Sequence, residues 1–317
     1  MGMEDVVGAL EGKSVVVTGG GRGIGRAVAL LAAREGASVV VADDGREIDG
    51  TGSNPAIAQA VVDEIKGAGG KALAATGDLA TMAGGEAAIR AALDTYGRVD
   101  GLVTSAGIRR DSPIWQMTSK DFKDVVDSNT KAAFTVTKTA AIAMRQQRYG
   151  RIVMMTSDYG LGSVGAANYA AASEGIMGFS RTAARDLGRY GITVNALSPL
   201  ARTRSFGGQS DELRPPAGTM SAEEMAWIAT PLPTREWEGD VLPDDPSGVA
   251  PLACYLLTEG ASEINGQLFG SRGGEIYLYT QPQIERQILS YGRRFTMAEL
   301  DEQMPRSLAN GVTRPLR

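Results

Sequence analysis

Apolar residues follow two alternating patterns from residue 14 to about residue 270. Short β-branched runs, Ser14 to Thr18, Ser38 to Ala42, Val99 to Thr104, Arg151 to Thr156 and Ile192 to Leu197, are nearly continuously apolar and predict strands buried on both faces. Between them, Ile24 to Ala33, Ala56 to Lys66, Glu86 to Tyr96, Phe122 to Met144 and Tyr169 to Leu187 carry their apolar residues on one helical stripe. Glycine turns such as Gly67-Ala68-Gly69-Gly70 and Gly188 to Gly191 punctuate the series. Strict strand and helix alternation predicts an α/β fold, a doubly wound parallel sheet covered on both faces. In such sheets ligands lie at the carboxyl ends of the strands.

The pattern breaks between residues 200 and 245. Pro215, Pro216, Pro231, Pro233 and Pro243 interrupt a charged stretch that also holds Trp227 and Trp237, and so long a loop in a compact domain predicts a substrate lid. A last helix, Pro246 to Leu257, and a strand, Ile264 to Gly270, return to the core pattern. From Glu275 onward the chain is polar and irregular, with a short helix at Met297 to Met304. The expected organisation is one domain over 1–275 and a C-terminal extension over 276–317.

Composition narrows the chemistry. The 317 residues include no histidine, which excludes Ser-His-Asp and Cys-His nucleophile pairs and histidine-coordinated zinc. No metal site is expected, and proton transfer falls to Tyr, Lys, Ser, Asp or Glu. The lone Cys254 predicts a reduced compartment. Thirty-two basic against 37 acidic side chains give a net charge of −5, with no basic block for nucleic acid. No apolar run approaches the ~20 residues of a membrane span, and no signal-like segment opens the chain, so a soluble cytoplasmic protein is the expectation.

The first strand runs into Thr18-Gly19-Gly20-Gly21-Arg22-Gly23-Ile24-Gly25 and directly into an apolar helix. Glycines there let the backbone turn tightly and approach a pyrophosphate lying against the helix-start N–H groups. Asp43 follows the second strand, 18 residues past Gly25, where an acceptor for the adenosine ribose 2′-OH belongs. Its charge repels a 2′-phosphate and favours NAD over NADP; Arg22 and Arg46 work against that preference, and Asp44 stands beside it as a second acid.

The Thr-Gly-x-x-x-Gly-x-Gly spacing resembles the cofactor loop of the short-chain dehydrogenase/reductase family, and the resemblance covers residues 12 to about 275. It implies a Rossmann-type sheet, with Gly19, Arg22, Gly23, Ile24, Gly25, Asp43, Asp78, Leu79, Ala106, Gly107, Pro199 and Thr203 around the cofactor. By the same resemblance Ser157 would hold the substrate oxygen, Tyr169, 12 residues later, would pass the proton, and Asn129 would support a water chain. The segments Asp43-Asp44-Gly45, Ile108-Arg109-Arg110-Asp111 and Arg148-Tyr149-Gly150-Arg151-Ile152 are similar to (3R)-hydroxyacyl-CoA dehydrogenase units and to bacterial relatives acting on acyl or steroid thioesters.

The family's lysine four residues after the tyrosine is Ser173 here. Positions i and i+4 share a helix face, so a lysine there lowers the phenol's pKa, and serine brings no charge. Lys131 belongs to another helix face; Arg202 and Arg204, at the lid root, are candidate substitutes. The family's first asparagine and second asparagine before Ala-Gly are Thr104 and Ser105, and Leu200 stands where a glycine usually follows the proline, which is expected to narrow the nicotinamide site. Two functions follow. One is an NAD(P)-dependent oxidoreductase interconverting a secondary alcohol and a ketone on a 3-hydroxyacyl thioester, carried by CoA or a carrier protein, or on a steroid-like substrate. The other is an impaired homologue serving as a binding or structural subunit. The resemblance also implies a homodimer or homotetramer, the impaired reading a mixed oligomer with an active homologue.

Overall fold

The structure, a computed structural model, describes residues 8–205, 245–290, 292 and 294–311. In chain order its elements are β1 (Ser14–Thr18), α1 (Gly23–Arg34), β2 (Ser38–Ala42), α2 (Ala56–Gly67), β3 (Lys71–Ala75), α3 (Met82–Tyr96), β4 (Gly101–Thr104), α4 (Ser119–Val126), α5 (Ala132–Gln147), β5 (Gly150–Met155), α6 (Ala167–Gly188) and β6 (Ile192–Pro199). After the undescribed stretch come α7 (Ala250–Tyr255), β7 (Leu268–Arg272), β8 (Glu275–Leu278) and α8 (Met297–Gln303). Most of the expected lid, with its prolines and both Trp227 and Trp237, lies outside the described residues.

Successive strand side chains point to opposite faces. Val15 and Val17 of β1 therefore join Val39 and Val41 of β2 in one apolar layer, closed by Val28 and Ala32 of α1, Val61 and Ile65 of α2 and Leu252 of α7. Val16 and Val40 enter the opposite layer, against Ile89 of α3, Val136 and Met144 of α5 and Ile176 and Leu187 of α6. All three β1 valines are fully buried, which is why the strand reads as a continuous apolar run. The strand order is β3-β2-β1-β4-β5-β6-β7-β8, parallel through β7. Strand order reverses between β1 and β4, and the crevice at their carboxyl ends is where such sheets take ligands.

The sheet corrects several sequence expectations. Lys71–Ala75 forms the edge strand β3, though its alanine-rich sequence carries little strand preference. Glu275–Leu278, expected to be irregular, pairs antiparallel with β7 as the other edge strand. The strand expected from Ile264 starts only at Leu268, because Gly266 turns the chain with φ +72°. The expected helix from Pro246 divides into a 3₁₀ turn, Pro246–Gly248, and α7. The helix expected from Phe122 to Met144 runs from Ser119 to Gln147 and contains a π-helical turn at Asp127–Lys131.

Residues Met1–Tyr279 and Thr280–Arg317 make two compact units. In the second, Thr296 caps α8 in a reciprocal box with Glu299, and Arg286 donates to Ser307 O over 3.1 Å. Among the described residues no helix is long and apolar enough to cross a membrane.

Cys254 on α7 is buried, and burial pushes its thiol up to about 12. The folded protein at pH 8 is expected to be inert to a disulfide thiol reagent and to react with one equivalent after unfolding in guanidinium. Prompt labelling of the native protein would show that α7 opens on the labelling timescale.

Candidate active site

At the end of β1 the chain must turn sharply and still leave room for a ligand. Gly19 takes φ +63°, and a Cβ there would lie 2.6 Å from Ser105 O. Gly23 follows at φ +52°. A Cβ on Gly25 would lie 2.8 Å from the carbonyl carbon of Gly19, so only glycine lets α1 start this close to the loop. Arg22, at the α1 N-cap position, makes no side-chain capping bond, and no acid stands in the first turn. The helix-start N–H groups are thus left for an anion, at the positive end of the helix. Thr18 Oγ1 accepts from Ser105 N at 3.1 Å and from Ala106 N at 3.3 Å, tying the loop after β4 to the glycine turn.

Asp43 closes one end of the site. Its carboxylate accepts from Gly21 N at 2.9 Å and from Gly45 N at 2.8 Å, so the acid is fixed against the glycine loop. Three arginines surround it, each engaged with a carboxylate. Arg46 pairs with Asp44 at 2.6 Å and with Asp78 at 3.2 Å, Arg204 pairs with Glu47 at 3.2 Å, and Arg22 lies 3.8 Å from Glu47. Leu79, next to Asp78, accepts at its carbonyl from Thr135 Oγ1 at 2.6 Å, which ties the strand-end loop to α5.

The other end is built by the π turn and α6. The extra residue of a π turn turns a side chain out of helical register. Asn129 is buried there, and its amide donates to Ile108 O at 2.9 Å and to Val125 O at 2.8 Å. A Cβ on Gly107 would sit 2.9 Å from Asn129 Cγ, so this asparagine and glycine interlock. Tyr169 and Ser173 follow each other by one turn of α6, and both line the cleft. Burial pushes the Tyr169 phenol up to about 12; Arg109 pulls the other way, while Asp111, Tyr159 and Asp158 add to the rise.

One cleft of about 470 Å³ runs between these ends, from Asp43 and Asp78 past Gly19 to Asn129, Tyr169 and Ser173. Arg22, Gly23, Ile24, Leu79, Ala106, Gly107, Pro199 and Thr203 also line it. Gly25 supports the cleft from behind rather than lining it. Ser157 is buried at the end of β5, where its hydroxyl caps the 3₁₀ turn Asp158–Leu161 by accepting from Tyr159 N at 3.3 Å. Leu200 is not a lining residue, so the expected narrowing at that position is not seen among the described residues. The Thr104 hydroxyl is buried without a hydrogen-bond partner, so the threonine leaves one polar group unsatisfied.

The sequence profile of the short chain dehydrogenase family matches residues 13–206. The chain belongs to this family. The short-chain dehydrogenase whose crystal structure is known from Mycobacterium avium superposes with a TM-score of 0.78 at 35% identity, covering 98% of both chains. Among curated short-chain dehydrogenase relatives, the hydroxyacyl-CoA dehydrogenase ChsB1 of Mycobacterium tuberculosis is 34% identical across 92% of this chain and 87% of its own. The 3-oxoacyl-(acyl-carrier-protein) reductase FabG of Staphylococcus aureus is 34% identical across 83% and 97%.

Within this short-chain dehydrogenase, the two arginines expected to stand in for a lysine at Ser173 are Arg202, which lines the cleft, and Arg204, while Lys131 is set aside by its helix face. Lys131 pairs with Asp127 at 3.8 Å, and Arg204 reaches the Asp43 end, donating to Arg46 O at 2.8 Å. The cation that lies over the Tyr169 ring is one the sequence reading used only as a mark of resemblance, Arg109. No spacing rule connects residue 109 to residue 169; the loop that carries it becomes visible only in three dimensions.

Proposed function

We propose that this chain is an NAD-dependent oxidoreductase that interconverts a secondary alcohol and a ketone on a 3-hydroxyacyl thioester. The observation that carries the reading is one cleft with the glycine turn and uncapped α1 at one side and the half-buried Tyr169 phenol at the other. The glycines let the turn pack tightly on the loop after β4 beside the cleft, since a Cβ at Gly19 would meet the backbone of Ser105. Gly19, Gly23 and Ile24 would hold the pyrophosphate, Asp43 the adenosine ribose, and Ala106, Gly107 and Pro199 the remainder of the cofactor. When bound, the nicotinamide supplies or accepts the hydride.

The protein's own part is positioning and proton transfer. With its pKa raised to about 12, the Tyr169 phenol is protonated at neutral pH, the form that donates to a ketone oxygen. Ser173 presents a hydroxyl one turn along α6 that can donate to or accept from a ribose hydroxyl. Asn129 keeps the loop after β4 against the helix. A thioester substrate is supported by the two curated relatives, named for hydroxyacyl-CoA and 3-oxoacyl carrier-protein chemistry.

NAD is proposed over NADP because Asp43 places a full charge at the ribose end while each neighbouring arginine already faces a carboxylate. NADH is expected to bind about tenfold more tightly than NADPH, a difference of about 1.4 kcal/mol, and Asp43→Ser to reduce the gap. Fluorescence titration with each dinucleotide reads both, and tighter NADPH binding would reverse the assignment. The activity itself is tested by incubating the full chain with NAD and 3-hydroxyacyl-CoA esters and following NADH absorbance. Bound dinucleotide with no turnover on acyl-CoA, acyl carrier-protein or steroid-like substrates would overturn the oxidoreductase reading.

A further inference from the structure

We propose that Arg109 is the positioning residue of this site. Its guanidinium, laid against the rings of Tyr159 and Tyr169, orients the phenol and supplies the positive charge that Ser173 lacks. The proposal rests on the proton-transfer reading of Tyr169.

Arg109 is only 7% exposed, an unusual place for a charge unless partners hold it. Its Nε donates to both carboxylate oxygens of Asp111, at 2.8 and 3.0 Å, and its Nη1 donates to Ser205 O at 3.0 Å. The guanidinium carbon lies 4.5 Å from the Tyr159 ring centroid and 5.4 Å from that of Tyr169. The two rings meet edge to face, 5.9 Å apart at 85°. A planar cation against aromatic faces is an attractive arrangement, and one that lysine does not reproduce in shape.

The register between this loop and α6 is fixed by the Asn168 side chain and by backbone bonds beside it. Asn168, fully buried, donates to Arg110 O at 2.7 Å and accepts from Tyr169 N at 2.7 Å. Ser112 N donates to Gly165 O at 2.8 Å, and Arg109 N to Ile48 O at 2.9 Å. Arg110, the next residue, is tied back to Asp121 at 3.0 Å and Asp124 at 2.7 Å on α4. The loop cannot slide along α6 without breaking these bonds, so Arg109 is delivered to Tyr169 from 60 residues upstream as firmly as an i+4 neighbour would be.

The charged and titratable groups facing the phenol are Arg109 and Asp111 from the loop and Asp158 and Tyr159 from the turn after β5. Asp121, Asp124 and Arg110 stand behind the loop. Of the groups just named around the phenol, Arg109 is the one that favours the ionised form of Tyr169. Removing that charge raises the phenol's pKa, so alcohol oxidation, which needs an ionised acceptor, moves its rising limb to higher pH.

The test compares Arg109→Gln, Arg109→Lys and the unaltered chain. In Arg109→Gln, kcat for alcohol oxidation at pH 8 is expected to fall about tenfold, and the rising limb to move up by about one unit, since each unit is a factor of ten. NADH affinity is expected to stay within threefold, and Arg109→Lys to return the limb part of the way. A second readout does not need turnover. With ¹³C-labelled tyrosine, the Tyr169 resonance, assigned by its loss in Tyr169→Phe, should begin to titrate at lower pH in the unaltered chain than in Arg109→Gln. A lower kcat with an unmoved limb and unmoved resonance would make Arg109 a packing residue and overturn the proposal. If no turnover is found in any protein, the oxidoreductase reading fails, and the resonance still decides the role of Arg109.

Discussion

Tyr169→Phe is expected to lower turnover about 10²–10⁴-fold, the usual worth of a positioned acid or base, while changing dinucleotide affinity by less than about threefold. Phenylalanine keeps the ring, so the edge-to-face contact with Tyr159 and the guanidinium of Arg109 over it both persist. What goes is the phenol hydroxyl, whose pKa burial pushes up to about 12. The loss therefore falls on the chemical step, in kcat, with melting temperature close to that of the unaltered chain. Single-turnover mixing with 3-oxoacyl-CoA and NADH separates that step from binding. A kcat within threefold of the unaltered chain would move the proton to another donor, and with no histidine in the sequence few other donors exist. Ser173→Ala is a useful companion, because it changes the neighbour on α6 without touching the phenol.

How much of this was legible in the sequence depends on how local the signal is. The β1 valines and the glycine turn sit within a dozen residues, and both the strand and the turn are set by local sterics, so reading them needs no partner. The π turn at Asp127–Lys131 gives no such signal: its five residues are all polar, and it is the tertiary bond of Asn129 to Ile108 O that ties the turn to the loop after β4. β3 escaped because Lys71-Ala72-Leu73-Ala74-Ala75 is stabilised by pairing with β2 rather than by its own preference. β8 escaped because its Ile276 and Leu278 are exposed, so burial leaves no pattern there. For the cation, the sequence directed attention along α6 and to the chain after β6, since i+4 spacing and strand ends are the rules it offers. Arg109 sits in a loop, and loop conformation is decided by contacts such as Asn168 with Arg110 that no periodicity encodes.

The second large effect is expected at Gly25, where Gly25→Ala should weaken dinucleotide binding about 100-fold, equivalent to about 2.7 kcal/mol. The argument is steric. A methyl at residue 25 would lie 2.8 Å from Gly19 C and 3.2 Å from Gly20 Cα, distances at which one side must move. The loop has no room to retreat: Gly19 donates to Ala42 O at 2.8 Å, and a Cβ on Gly19 would itself meet the backbone of Ser105. Relief then comes from α1, whose start must lift away and carry its uncapped N–H groups off the cleft. Helix α1 is held below by Val28, Ala29 and Ala32 in the core, so the displacement also costs stability, about 1–3 kcal/mol as overpacking usually does. Gly67→Ala is the matched control. It stands in the last turn of α2 with no atom within 4 Å of an added Cβ, so the same methyl there should leave binding unchanged and stability equal or up to about 1 kcal/mol higher. Calorimetric titration with NADH and urea unfolding of the two variants read both quantities. If Gly25→Ala binds within threefold of the unaltered chain, the dinucleotide does not lie on the start of α1, and the cofactor assignment falls with it.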